Sequence, residues 1–288
     1  MAGYLSMTQI HDRASGSAAP YSLLTIVSTL AWGLGYFGMP HILLRFMAIE
    51  DEKKLKLSRR VATIWVVISL FVAVFIGVIG YTMSKVGALE MLTGSNSETI
   101  IVKISALLSQ HGVIFALLAG VILAGILAST MSTSDSQLLA ASSAVSSDIL
   151  GAFRKDSSNK NGSMAAARIT LLVISVVAAF IARNPDSSVF AIVSFAWAGF
   201  GAAFGPVVLF SLFWKRTNKW GALAGMVCGG SMVFIWKYLI RPLGGIWNIY
   251  ELLPAFLIAC AAIVIVSLLT PKPSKEIEEE FDRVAQMK

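Results

Sequence analysis

The chain has 288 residues, 56% apolar and 14% charged, with a net charge of +7 and a mean hydropathy of +0.76. A water-facing domain carries about 25% charged residues, so these numbers exclude a soluble globule, a disordered chain and a collagen. The two cysteines, Cys228 and Cys260, sit in apolar runs as packing residues and exclude a disulfide scaffold.

Long uncharged runs require lipid as their solvent, and a crossing helix needs about 20 apolar residues. The opening residues 1–20 carry Asp12, Arg13 and a Gly/Ser/Ala stretch, without the apolar core of a cleaved secretory signal. Spans are predicted at 20–44, 61–83, 111–133, 165–183, 187–214, 220–240 and 251–270. Charge clusters fall between them: Glu50 to Arg60 after the first, Arg154, Lys155, Asp156 and Lys160 after the third, Lys215, Arg216 and Lys219 after the fifth. The tail from Pro271 is polar and predicts a solvated helix. Of 23 lysines and arginines, seventeen fall on one side of these spans and six on the other. The richer side is the cytoplasm. The +7 therefore reads as loop charge rather than as a nucleic-acid face. Seven spans then put the C-terminus inside and the N-terminus outside. Without a signal, a native start would have to translocate its own N-terminus, so residues 1–20 are expected to be an extracytoplasmic loop remnant, with preceding helices missing.

The first span contains Trp32-Gly33-Leu34-Gly35-Tyr36-Phe37-Gly38-Met39-Pro40-His41. Its glycines match G-x-G-x-x-G, but no strand precedes them, so the dinucleotide reading fails. Three glycines and a proline at membrane depth predict a broken helix. Such backbone is tolerated only beside protein or a water-filled cavity, and it points to a transporter binding site or to a packing bend. Trp32 and Tyr36, four apart, share a face suited to wall an apolar substrate or to plain packing.

At the end of the third span, Ser129, Ser132, Thr133 and Ser136 recur at three- and four-residue spacing. Their oxygens suit a hard alkali cation, and equally the interhelical hydrogen bonds common in membranes. Asp135 reads as interfacial. In the fifth span Ala198, Gly201, Ala202 and Gly205 form a small face before Pro206, which bends the helix, and Gly221, Gly225 and Gly229 repeat that spacing in the sixth; both read as packing. His11, His41 and His111 show no metal spacing, and no Ser-His-Asp or H-x-x-x-H set is present, so the sequence does not read as an enzyme. The Asn161-Gly162-Ser163 sequon falls on the cytoplasmic side and is discounted.

Four motifs in order carry a family resemblance. The stretch from Ala31 to Ile42 with Arg45 to Ala48 resembles the seventh helix of bacterial sodium/proline symporters of the sodium:solute symporter family. Met131 to Thr133 with Gln137 to Leu139 and Ser142-Ser143 is similar to its ninth helix, Ser194 to Phe210 to its eleventh, and Gly221 to Met226 to its twelfth. The resemblance implies an all-α, LeuT-like inverted-repeat transporter in the cell membrane. Residues 21–214 would be the second five-helix repeat, 215–270 two peripheral transmembrane helices and 271–288 a cytoplasmic tail. The first repeat, on this reading, is absent.

The same resemblance implies sodium-coupled symport of L-proline. Trp32, Tyr36 and Pro40 match the proline site. Ser132 and Thr133, with Ser129 one turn earlier, match the sodium ligands. Ser129 stands where alanine acting through its backbone carbonyl is usual, and Met39 where glutamine is common. A symporter for another small solute such as pantothenate, and an inactive truncated fragment, are the competing readings.

Overall fold

The computed structural model describes residues 6–11, 17–149, 160–183 and 188–286. Asp12, Arg13, Arg154, Lys155 and Asp156, named above, lie outside the described residues. Among the described residues, six helices are long and apolar enough to cross a membrane: Glu52–Lys85, Val113–Ile149, Met164–Ile181, Val189–Phe213, Lys219–Leu243 and Leu252–Leu269. A bent pair, Leu23–Gly38 with Pro40–Met47, raises this to as many as seven. The apolar windows of Glu52–Lys85 and Met164–Ile181 bury nothing within the chain. Burying a large apolar side chain is favourable by about 1.5–3 kcal/mol, so exposed rings such as Trp65 and Phe71 require lipid or protein around them. The chain is a multi-pass membrane protein.

By packing it divides into two units, Met1–Leu43 with Val193–Lys288, and Leu44–Ile192. The first opens, within the expected loop 1–20, on a short hairpin: β1 (Gln9–His11) pairs antiparallel with β2 (Ala18–Pro20), Ile10 opposite Ala19. Helix α1 (Leu23–Leu30) starts at Ser22, whose hydroxyl accepts from the Thr25 amide at 3.1 Å, satisfying one of the four orphan donors of a helix start. The helix then tightens into a 3-10 stretch, Ala31–Gly38. Met39 is extended, at φ −84 and ψ 112, because proline drives its predecessor out of the α region. Pro40 then opens α2 (Pro40–Met47), and the two segments meet at 53°. The predicted break in the first span is present.

Against this break lies α7 (Val189–Phe213), within which the division between the units falls. Its buried face is Trp197, Ala198, Gly201, Ala202, Gly205 and Pro206. A Cβ on Gly38 would lie 2.8 Å from Gly201 Cα and 2.9 Å from Gly205 N. The two backbones approach this closely because neither side has a side chain there. Helix α8 (Lys219–Ile235) is capped by Asn218, whose Oδ1 accepts from Gly221 N at 2.9 Å. The same side chain donates through Nδ2 to Thr270 Oγ1 at 2.7 Å and to the Pro271 carbonyl at 2.8 Å, at the end of α9 (Leu252–Leu269). Along their contact, Gly221 faces Ser267, Gly225 faces Ile263 and Gly229 faces Ala259, with the Ala202 carbonyl on Gly229's other flank. Val233, Leu252 and Phe256 are buried with Met39 and Trp197. The polar tail forms α10 (Lys275–Gln286), tied by Asp282 to Lys215 at 2.6 Å.

In the second unit, Asp51 caps a 3-10 turn, Glu52–Lys54, that feeds α3 (Leu55–Lys85). A 3-10 turn at Gly94–Thr99 leads to α4 (Ile100–Ser109), a short helix that no prediction covered. Ile100 packs against Gly80 of α3. Gly112, at φ 110, takes a conformation that disfavours side-chain-bearing residues and opens α5 (Val113–Ser143). The third span was expected to stop at 133. It runs to Ser143 and on through a π turn, Ala144–Ile149; the helix accommodates its polar run because the hydroxyls of Thr130, Thr133 and Ser136 are satisfied by carbonyls one turn earlier. Asp135 therefore sits inside a helix. The Ser142 hydroxyl donates to the Ala167 carbonyl of α6 (Lys160–Ile181) at 2.7 Å. Glu98 accepts from Ser188 Oγ at 2.6 Å, Val189 N at 3.0 Å and Phe190 N at 3.3 Å. The Ser188 hydroxyl first, then the two amides, hold its carboxyl below the usual range against the opposing effect of desolvation.

Candidate functional site

A 3-10 stretch replaces the α-helical i→i−4 bonds with poorer i→i−3 ones, and each of its carbonyls keeps a second lone pair for a further partner. One is supplied from far away in sequence: the Trp197 indole N–H donates to the Trp32 carbonyl at 3.0 Å. The two rings stack, centroids 5.5 Å apart and 15° between planes. Tyr36 meets Trp197 edge-on at 4.7 Å and 84°. The four-residue spacing of Trp32 and Tyr36 thus places both against one α7 side chain, through offset-stacked and T-shaped geometries that aromatic quadrupoles favour. Gly35 sits under the Trp197 ring, where a Cβ would overlap the indole.

A second aromatic joins from the α9 end. Tyr250 stacks with Trp32 at 6.0 Å and 16°. With two neighbours parallel to it, Trp32 is part of a wall, whereas Tyr36 remains 52% exposed and presents ring and hydroxyl. Pro40 is exposed at the head of α2, and Met39 beside it is buried in the core of the unit. Trp32, Tyr36 and Pro40 therefore sit together on one broken span, with Tyr36 its most open aromatic surface. The sequence reading missed Trp197 and Tyr250. For Trp197 a signal exists: it is the one large side chain on a face otherwise built from Gly201 and Gly205, at i+4 and i+8.

The other predicted group lies in the second unit. Ser129, Ser132 and Thr133 are all exposed on α5. Thr133 Oγ1 donates to the Ser129 carbonyl across a long 3.3 Å. Around a hard cation with oxygens at about 2.4 Å, neighbouring ligands stand about 3.4 Å apart. These two oxygens already have that spacing. The Ser132 hydroxyl has no hydrogen-bond partner among the described residues. The Ser129 hydroxyl, by contrast, turns away to the Ile126 carbonyl at 2.8 Å, so only its carbonyl is on offer. Ser136 bonds the Ser132 carbonyl at 2.8 Å and belongs to the helix rather than to a ligand set.

The chain is similar to known proteins over most of its length. A sequence profile of the sodium:solute symporter family matches residues 7–229. The osmoregulated proline transporter OpuE of Bacillus subtilis is 40% identical over 254 residues, covering 88% of this chain and 50% of that protein. A sodium/proline symporter of Salmonella typhimurium is 40% identical over 261 residues, 90% of this chain and 50% of that one. The high-affinity proline transporter PutP of Bacillus subtilis is 39% identical over 263 residues, 91% and 53% of the two chains. No solved structure matches. The chain spans about half the length of the curated relatives it matches.

Proposed function

The chain belongs to the sodium:solute symporter family, and on that premise we propose that it carries the second repeat of a sodium-coupled L-proline symporter with a LeuT-like inverted-repeat fold. In this reading, residues 21–214 are the repeat and 215–270 the peripheral helices. The tail 271–288 lies in the cytoplasm, and a first repeat outside these 288 residues completes the transporter. The observation that carries the proposal is the broken first span, with Trp32 and Tyr36 seated on Trp197 at a glycine-lined crossing. The relatives, two proline transporters and a sodium/proline symporter, supply the substrate and the ion.

Tyr36 and Trp32 offer an apolar wall for the pyrrolidine ring, and the break at Met39–Pro40 exposes helix ends for the charged groups of the amino acid. Sodium is held by the Ser129 carbonyl with the Ser132 and Thr133 hydroxyls. Occupying that site, it favours the state in which the broken span binds proline, and proline raises sodium affinity by the same factor. Each sodium entering with the membrane potential adds about 2.3 kcal/mol per 100 mV.

The test is uptake of labelled proline into cells expressing the full-length protein that contains this chain, with sodium or choline outside. Uptake that requires sodium and is competed by proline over a panel of solutes, pantothenate included, is expected. Sodium-independent uptake, or none, refutes the proposal. Coupled uptake by the 288 residues alone would refute the need for a first repeat.

A further inference from the structure

Residue 250 precedes α9, a helix outside the proposed repeat, yet it reaches the substrate wall. Its backbone N–H donates to Ser28 Oγ at 3.1 Å, and Ser28 lies one helical turn before Trp32. Its hydroxyl donates to the Ser194 carbonyl at 2.6 Å, three residues before Trp197. Its ring stacks with Trp32 itself. Tyr250 thus touches the flanks of both tryptophans of the wall at once. Burial pushes its phenol up, so the hydroxyl stays a donor.

The next residue fixes it in place. Glu251 is fully buried, with Oε2 accepting from Arg241 Nη1 at 2.8 Å and Oε1 3.9 Å from Lys237 Nζ. Arg241 Nε also donates to Asn248 Oδ1 at 3.0 Å, and Lys237 lies 3.9 Å from the Phe195 ring centre. A buried carboxylate held by two cations is strongly disfavoured if it loses them, so the Tyr250–Glu251 turn has one position.

We propose that Tyr250 is a positioning residue for the substrate site: the peripheral helix, through this side chain, sets the ring plane of Trp32 and with it the affinity for the amino acid. The inference rests on the symporter reading given above. Two readouts keep them apart. In the full-length protein, sodium-dependent proline uptake is measured for wild type, Tyr250→Ala and Tyr250→Phe. An aromatic pair of this kind is worth about a two- to tenfold change in an equilibrium constant. Tyr250→Ala is expected to raise the apparent KM for proline by that factor with maximal uptake within twofold, and Tyr250→Phe to restore it. In parallel, near-ultraviolet circular dichroism of substrate-free protein isolates the stacked pair as the difference from Trp32→Phe. Tyr250→Ala is expected to reduce that difference and Tyr250→Phe to keep it. If alanine prevents folding, Tyr250→Leu keeps the volume without the ring and is read instead. An unchanged KM or an unchanged dichroism difference overturns the inference, as does a loss of maximal uptake and thermal stability without a KM change. If wild type shows no sodium-dependent uptake, the function proposal falls, and the dichroism alone decides the role of Tyr250.

Discussion

Replacing Gly38 by alanine tests whether the crossing of the broken span and α7 is set by backbone contact. A Cβ there would lie 2.8 Å from Gly201 Cα and 2.9 Å from Gly205 N, where carbon contacts normally begin near 3.5 Å. The Phe200 carbonyl oxygen is closer still, and all three atoms are helix backbone, which cannot rotate aside, so the two elements must part by about 1 Å. Overpacking of this kind destabilises by about 1–3 kcal/mol. Gly33, five residues earlier, is the control: its Cβ would meet nothing within 4 Å, and its φ is not positive. Alanine at that position lowers unfolded-state entropy and gains up to about 1 kcal/mol. The pair should therefore differ by about 1.5–4 kcal/mol, or about 2–7 °C in Tm for a chain of this length. Thermal scans in one detergent at one heating rate, followed by tryptophan fluorescence, read the difference. Midpoints of the two variants within about 1 °C of each other would falsify the account of the crossing.

Thr133→Ala should shift the sodium concentration for half-maximal proline uptake upward while leaving uptake at saturating sodium less affected; equal losses at both would contradict a ligand role for its hydroxyl. Asn218→Ala removes the α8 cap and the tie to Thr270 and Pro271, and should destabilise by about 1–2 kcal/mol. Asn218→Asp, keeping only the acceptor, should fall between alanine and wild type in thermal scans. Glu98, with its pKa depressed below the ordinary value of 4.5, stabilises the fold above that pH and loses this contribution as pH falls through its folded value. Glu98→Gln should flatten the acid limb of a stability-against-pH curve, and an unchanged limb would show that the cap contributes nothing.

The spans were legible because lipid leaves a coarse signature: runs of about 20 apolar residues need no partner to be recognised. The break was legible for a local reason, since Gly33, Gly35, Gly38 and Pro40 act on their own backbone. What escaped was everything decided across the fold. The Trp32–Trp197 bond joins positions 165 apart, and nothing near either residue announces it. Tyr250 lies in the connection between the last two predicted spans, where nothing nearby marks it. Helix α4 is too short to register as a span, although Ile100, Ile104, Leu107 and Leu108 carry helical spacing. The end of α5 was misplaced because the span was bounded by its apolar run, whereas the helix continues through the serines and threonines, whose hydroxyls bond to carbonyls one turn earlier. The Ser129 group was readable as oxygen-rich, but only the geometry separates the Thr133 hydroxyl, aimed at a carbonyl, from the Ser129 hydroxyl, aimed away.

The three glycines of α8 also limit how that part of the molecule can move. Ser267, Ile263 and Ala259 of α9 each seat in a notch, and the notches repeat every four residues, about 6 Å along the axis. Sliding one helix past the other by less than that distance would drive all three side chains into backbone together. The pair therefore admits no gradual shear, only a full one-notch jump, which Asn218 bonding both helices at one end opposes. In any rocking motion of the proposed symporter, α8 and α9 should travel as a single beam.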